Sequence, residues 1–298
     1  MSRLPDCPVI MLIGRRRSGK SVNTMSILHH YKNTFKWGLA FVGSNASIRD
    51  YKKCIPSTFI YDQLDWEVLE GVIKRQNEAA NRGTPEKIFI LIDDLAYSID
   101  IFRHKLIRQL FANGRHLGVT LIITTQYALA VPPMCRGNTD VIFASQEKSV
   151  IYRRKLFETF SIVFPNFRKF DKAYTACTVN YETFIMLSCS GNVSDKIEDN
   201  VFFFKSMFPL PTFKINPSGR WWRIHGKRHD PEGSMSASGS SEVKKITIAQ
   251  LKKRRTPPVE EGDVKEEPDL IWVAPKKKQN RFTKTSKPTR GLSRFSHR

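Results

Sequence analysis

Residues 8 to 21, PVIMLIGRRRSGKS, decide how the chain is to be read. Val9 to Ile13 is a short apolar run rich in β-branched residues and bounded by Pro8 and Gly14, the profile of a buried strand. It runs directly into Gly14-x-x-x-x-Gly19-Lys20-Ser21, the phosphate-binding loop pattern. Gly14 and Gly19 let backbone N–H groups of the intervening Arg15, Arg16, Arg17 and Ser18 converge on a phosphate with no Cβ in the way. Lys20 can reach the β- and γ-phosphates of ATP, and Ser21 can place its hydroxyl on Mg²⁺. A helix starting near Lys20 would add its positive N-terminal dipole.

The surrounding composition narrows the setting. The chain has 298 residues, enough for a sizeable core in one large or two small domains. Its 49 Lys and Arg against 28 acids give a formal charge of +21, which points to a polyanionic partner. The excess is densest beyond residue 215. Five cysteines, odd in number and without a CxxC pair, are expected in a reduced, intracellular protein with no zinc site. No apolar run reaches the ~18 residues of a membrane span, and MSRLPDCP has no signal-peptide core, so no membrane association is expected.

Strands and helices alternate along the chain. Ser21 to Tyr31 suits the helix after the loop, and WGLAFVGS from Trp37 a second strand. Phe59 to Tyr61 reads as a short strand. Asp65 is placed to cap a helix that carries Trp66, Leu69, Val72 and Ile73 on one face and stops at Gly83. Phe102 to Asn113 forms an amphipathic stripe, and Lys148 to Phe160 a further helix. Leu121 to Ile123, Asp140 to Ser145, and late segments from Tyr181 and Val201 are additional strands or core pieces. This alternation predicts an α/β fold, a mainly parallel sheet with helices on both faces.

Two strand tips carry chemistry. Ile88 to Ile92 leads into Asp93 and Asp94, at the edge where open α/β sheets put their ligands. In phosphoryl transfer the first acid holds Mg²⁺ through water and the second orients or deprotonates the attacking water. The plainer alternative is a pair of acids solvating a turn. Leu121 to Ile123 ends in Thr124, Thr125 and Gln126, where an amide can sense the γ-phosphate or hold the water; otherwise Gln126 simply begins a loop.

The pieces IGRRRSGKS, IPSTFIYDQ with the helix through Arg75 and Gln76, FILIDDL, and ANGRHLGVTLIITTQYALAVPP occur in an order that resembles the genome-packaging ATPases of large DNA viruses. These are the poxvirus-type branch of the FtsK/HerA superfamily. The likeness covers roughly residues 8 to 145, and its last piece is the most specific. It implies an additional strand, here Leu121 to Thr125, between the loop strand and the Asp93 strand. It also implies a ring-forming motor that moves double-stranded DNA into a capsid, working with a capsid or portal component inside the infected host. By the same likeness Asp93 is the metal-associated acid, Asp94 the catalytic carboxylate and Gln126 the sensor. Many members of the superfamily have Glu where this chain has Asp94, and a shorter carboxylate must sit closer to its water. Arg15, Arg16 and Arg17 carry more charge than cradling needs; they face DNA, a neighbouring subunit, or solvent as a basic rim. Arg115 is the candidate finger at the γ-phosphate, supplied by an adjacent subunit as is usual in ring ATPases, or a cation complementing a helix dipole. Arg103 and Arg108 are alternatives, and His116 reads as structural.

Residues 1–215 are thus expected to form the ATPase domain and 216–298 a tail. The tail contains GSMSASGSS (233–241), KKRR (252–255), an acidic block (259–269) and PKKKQNR (275–281), a composition that predicts disorder. It suits non-specific phosphate-backbone binding, a nuclear import signal of the PKKK form, or simple solubilisation. Trp221, Trp222 and Trp272 are expected to be exposed there. Two rival classes remain: a nucleotide or nucleoside kinase, and a basic DNA-binding core protein whose nucleotide site is only structural.

Overall fold

The computed structural model describes residues 5–95, 99–161, 163–188 and 196–228. Their strands are β1 (Val9–Ile13), β2 (Trp37–Val42), β3 (Ile60–Tyr61), β4 (Ile88–Asp93), β5 (Val119–Thr125), β6 (Val141–Ala144), β7 (Glu182–Leu187) and β8 (Val201–Lys205). The helices are α1 (Lys20–His30), α2 (Asn45–Tyr51), α3 (Trp66–Asn81), α4 (Ile99–Arg103), α5 (Lys105–Asn113), α6 (Pro133–Gly137), α7 (Val150–Phe160), α8 (Phe167–Ala176), α9 (Ile197–Asn200) and α10 (Arg220–Arg228).

All eight strands lie in one sheet, in the order β3-β2-β4-β5-β1-β6-β7-β8. The six strands from β3 to β6 are parallel; β7 and β8 are added antiparallel. Strands β1, β2, β4, β5 and β6 are buried at every residue, which is why their sequences read as unbroken apolar runs rather than as alternation. β8 is the outer strand and only half-buried, with Phe203 exposed. As anticipated, β5 lies between β1 and β4, pairing Met11 with Ile123 on one side and Ile92 with Ile123 on the other.

Local signals act where they were read. The Asp65 carboxylate accepts from the Val68 N–H at 3.1 Å and starts α3; Gly83, at φ 73°, follows its end. The stripe predicted as one helix over 102–113 is broken at His104. That imidazole caps α5 by accepting from Leu106 N–H at 3.4 Å and stacks on Trp66 at 3.6 Å between ring centroids. Apolar spacing continues through the break, so periodicity alone conceals it. Helices α2 and α8 were not anticipated.

The expectation for Trp221 is corrected. Past Ser206, whose hydroxyl lies 2.5 Å from Asn23 Oδ1, the chain crosses α1, packs Phe213 on His29, and bonds Ile215 N–H to Cys54 O at 3.1 Å. Helix α10 then buries Trp221, 3% exposed, against Phe59 and Phe89. Trp222 is half-buried and donates to Ile215 O at 2.8 Å. A full indole buried on the β2–β4 side outweighs the polar composition around it. Packing therefore continues beyond Asn216; Trp272 and the tail motifs from residue 233 on lie outside the described residues.

Candidate nucleotide-binding site

Parallel strands deliver their C-terminal ends to one edge, so Gly14, Asp93, Gln126 and Ser145 emerge together from β1, β4, β5 and β6. The loop is tied at its base by Gly14 N–H to Thr125 O at 3.1 Å and by Ser145 N–H to Ile13 O at 2.9 Å. Gly14 has no alternative here: a Cβ would lie 2.5 Å from Ser18 Oγ and 2.8 Å from Ser145 Cβ. Gly19 stands at φ 89°, a conformation that favours glycine, and opens α1. The first turn of α1 therefore points its N–H groups into the loop.

Lys20 is buried, its ammonium 2.7 Å from Gly14 O and 2.9 Å from Arg15 O. Burial pushes it below the usual lysine range, while the Asp94 and Asp93 carboxylates pull the other way. Asp93 is 1% exposed and both its oxygens are engaged: Oδ1 accepts from Thr124 Oγ1 at 2.8 Å and Oδ2 from the Tyr51 hydroxyl at 3.0 Å. Burial raises its pKa, and the Thr124 bond offsets part of that rise. Asp94 is exposed and sits at φ 54°, a strained conformation for a residue with a Cβ. Its N–H is held by Thr124 Oγ1 at 3.0 Å. One threonine hydroxyl thus serves both acids.

Gln126 follows Thr125 directly beside Gly14, and both border a cavity of about 240 Å³ with Tyr127, Ser145, Glu147 and Tyr152. Arg15 is drawn into the same wall, with Nε 2.7 Å from Glu147 Oε2 and its guanidinium over Tyr152. All three arginines of the trio are exposed, and Arg15 is held within the chain by this ion pair. Arg115 lies elsewhere. It is exposed in the turn before β5, where it acts on the Asp140 carboxyl at the start of β6. That is the opposite edge of the sheet, about 20 Å of strand away from Lys20.

The donor set fits a magnesium nucleotide. Ser21 Oγ and Asp93 offer hard oxygen ligands, of which Mg²⁺ needs few from protein when phosphates and waters supply the rest. Ser18 Oγ is buried with no hydrogen-bond partner, a polar atom that a phosphate oxygen would satisfy. Three contributors had no sequence-level signal or role: Tyr51, Ser47, whose hydroxyl is 3.4 Å from Ser21 Oγ, and Ser145. Thr124 was legible only as a polar strand tip.

No family model matches the chain. It is 29% identical over 199 residues to Uncharacterized protein 088R of Invertebrate iridescent virus 3, spanning 67% of this chain and 76% of that one. It is 26% identical over 236 residues to Uncharacterized protein L437 of Acanthamoeba polyphaga mimivirus, covering 76% and 81% respectively. Structural neighbours include B204, the DNA-packaging ATPase from Sulfolobus Turreted Icosahedral Virus, at TM-score 0.47 and 17% identity over 68% of this chain and 98% of that chain. They also include the cytoplasmic domain of the Thermomonospora curvata Type VII secretion ATPase EccC, at TM-score 0.46 and 14% identity over 68% of this chain and 26% of that chain.

Proposed function

We propose that the chain is an ATPase whose hydrolysis drives viral double-stranded DNA into a capsid. The observation that carries the hydrolase part is the meeting of Lys20, Asp93 and Asp94 at one strand edge, each felt electrostatically by another. ATP with Mg²⁺ would supply the reacting phosphate and the charge that neutralises it as the bond breaks. Loop N–H groups from Gly14 to Ser21 and the Lys20 ammonium would hold the phosphates. Ser21 and Asp93 would hold the metal, the acid through water. Asp94 would orient the attacking water and take its proton, with Gln126 as its second support. The strain at Asp94 keeps that carboxylate out of the strand line and exposed, as this role requires.

The motor part rests on less direct support. The charge of +21 suits a DNA backbone gripped without base reading. The order of motifs and the relatives from iridescent viruses and a mimivirus favour a viral setting inside the infected host. Arg115, too far to serve its own site, favours a homo-oligomeric ring in which each copy completes its neighbour's site. A capsid or portal component would be the ring's dock.

The test is phosphate release by the full chain with and without double-stranded DNA. Wild type is expected to hydrolyse ATP and to be stimulated by DNA; Lys20→Ala is expected to be inactive. Hydrolysis unaffected by DNA would remove the motor reading, and an active Lys20→Ala would remove the site.

A further inference from the structure

The turn before β7 holds a tyrosine under strain. Glu182 N–H bonds to Val179 O at 2.9 Å, and the two residues between, Asn180 and Tyr181, both have positive φ, 52° and 62°. That is the geometry of a primed turn, whose second central position favours glycine. A tyrosine there costs backbone free energy, and it recovers little by packing, since Tyr181 is 77% exposed. The turn is nonetheless firmly placed: Asn23, on the second turn of α1, donates to Thr183 Oγ1 at 2.8 Å. Its effect is to bring the Tyr181 ring within 3.9 Å of where a Cβ on Gly19 would be.

The position follows from strand order. Asp93 lies at the tip of β4, two strands to one side of the loop strand; Tyr181 lies at the start of β7, two strands to the other side. A nucleotide whose terminal phosphate meets Asp93 and Asp94 has its nucleoside end directed away from them, toward β7. An exposed aromatic face held beside the loop on that side has the chemistry to stack a planar base.

We propose that Tyr181 is the nucleobase platform of this site, and that it recognises the π-face of the base rather than its hydrogen-bonding edge. The inference rests on the nucleotide-hydrolysis reading above. Because every base has a π-face, the platform accepts ATP and GTP alike.

Binding of ATP, GTP and inorganic tripolyphosphate to the full chain tests this. Tyr181→Gly relieves the turn, so the variant is expected to melt no lower than wild type. It should nonetheless bind ATP and GTP about five- to a hundredfold more weakly, the range of one base stack. Tripolyphosphate, which has no base, should bind wild type and variant equally, and Tyr181→Trp should retain ATP affinity. Unchanged ATP affinity in Tyr181→Gly overturns the proposal, as does an equal loss for ATP and tripolyphosphate, which would make Tyr181 a prop for the loop. If wild type binds none of the three, the nucleotide reading itself fails.

Discussion

Thr124 shows how much of the site hangs on one hydroxyl. It donates to Asp93, accepts from Asp94 N–H, and is itself buried. Thr124→Val keeps the shape and removes both bonds, leaving Asp93 with its Tyr51 bond and Asp94 N–H without this acceptor. Its turnover is expected to fall about tenfold to a hundredfold, as for other lost outer-shell partners of a metal site. A matching rise in the Mg²⁺ required should accompany the fall, with rescue by Thr124→Ser. A purely structural role would lower the melting temperature and leave the Mg²⁺ titration unchanged. Asp93 makes the opposite point. Burial raises its pKa, so the folded state binds its proton more tightly than the unfolded state does. Between the ordinary carboxylate range and the raised value, folding stability therefore declines as pH increases. Asp93→Asn, which carries no charge, should flatten that decline and melt higher than wild type near neutral pH in the absence of nucleotide, while losing hydrolysis. A variant that melts lower there would show that the charged form is favoured in the fold.

Elements were legible to different degrees, for physical reasons. The β1–loop–α1 unit, the acid-bearing β4 and β5 could be read because buried parallel strands are continuous apolar runs ending in chemistry, whereas the place of β5 between β1 and β4 was implied only by the family resemblance. The split of α4 from α5 could not, because the break comes from the His104 side chain and its stack on Trp66, a partner far away in sequence. Tyr51 was equally hidden: it reaches Asp93 because α2 packs on β2, the strand paired with β4. The loop's Lys20, Asp93 and Asp94 were legible by type and spacing, whereas the hydroxyls that hold them were not. Helix α10 was misjudged by composition, since one buried indole decides its place. Trp221→Ala is expected to cost about 3–5 kcal/mol, the usual range for emptying an aromatic core site. Chemical denaturation would measure it, and a loss under 1 kcal/mol would mean that α10 merely rests on the surface.

At the scale of the molecule, the sheet separates two charged ends. Its C-terminal edge carries the loop and acids, and its N-terminal edge carries Arg115. If copies stack edge to edge around a ring, Arg115→Ala mixed with Lys20→Ala should recover hydrolysis that neither variant has alone, because a Lys20→Ala copy can lend its Arg115 to a neighbour whose loop is intact. No recovery in the mixture would mean that Arg115 does not complete a neighbouring site. The β4–β5 ladder, moreover, ends at Ile92 with Ile123, whereas β2–β4 continues to Asp93 and β1–β5 to Thr125. Beyond that last pair the Thr124 side chain takes the place of the ladder. The molecule therefore has a seam at its busiest point, with the acids on one slab and the phosphate loop and Gln126 on the other. Past the last rung the tie between the slabs runs through the Thr124 hydroxyl, so any parting of the tip would exchange side-chain bonds and leave the backbone rungs of the β4–β5 ladder in place.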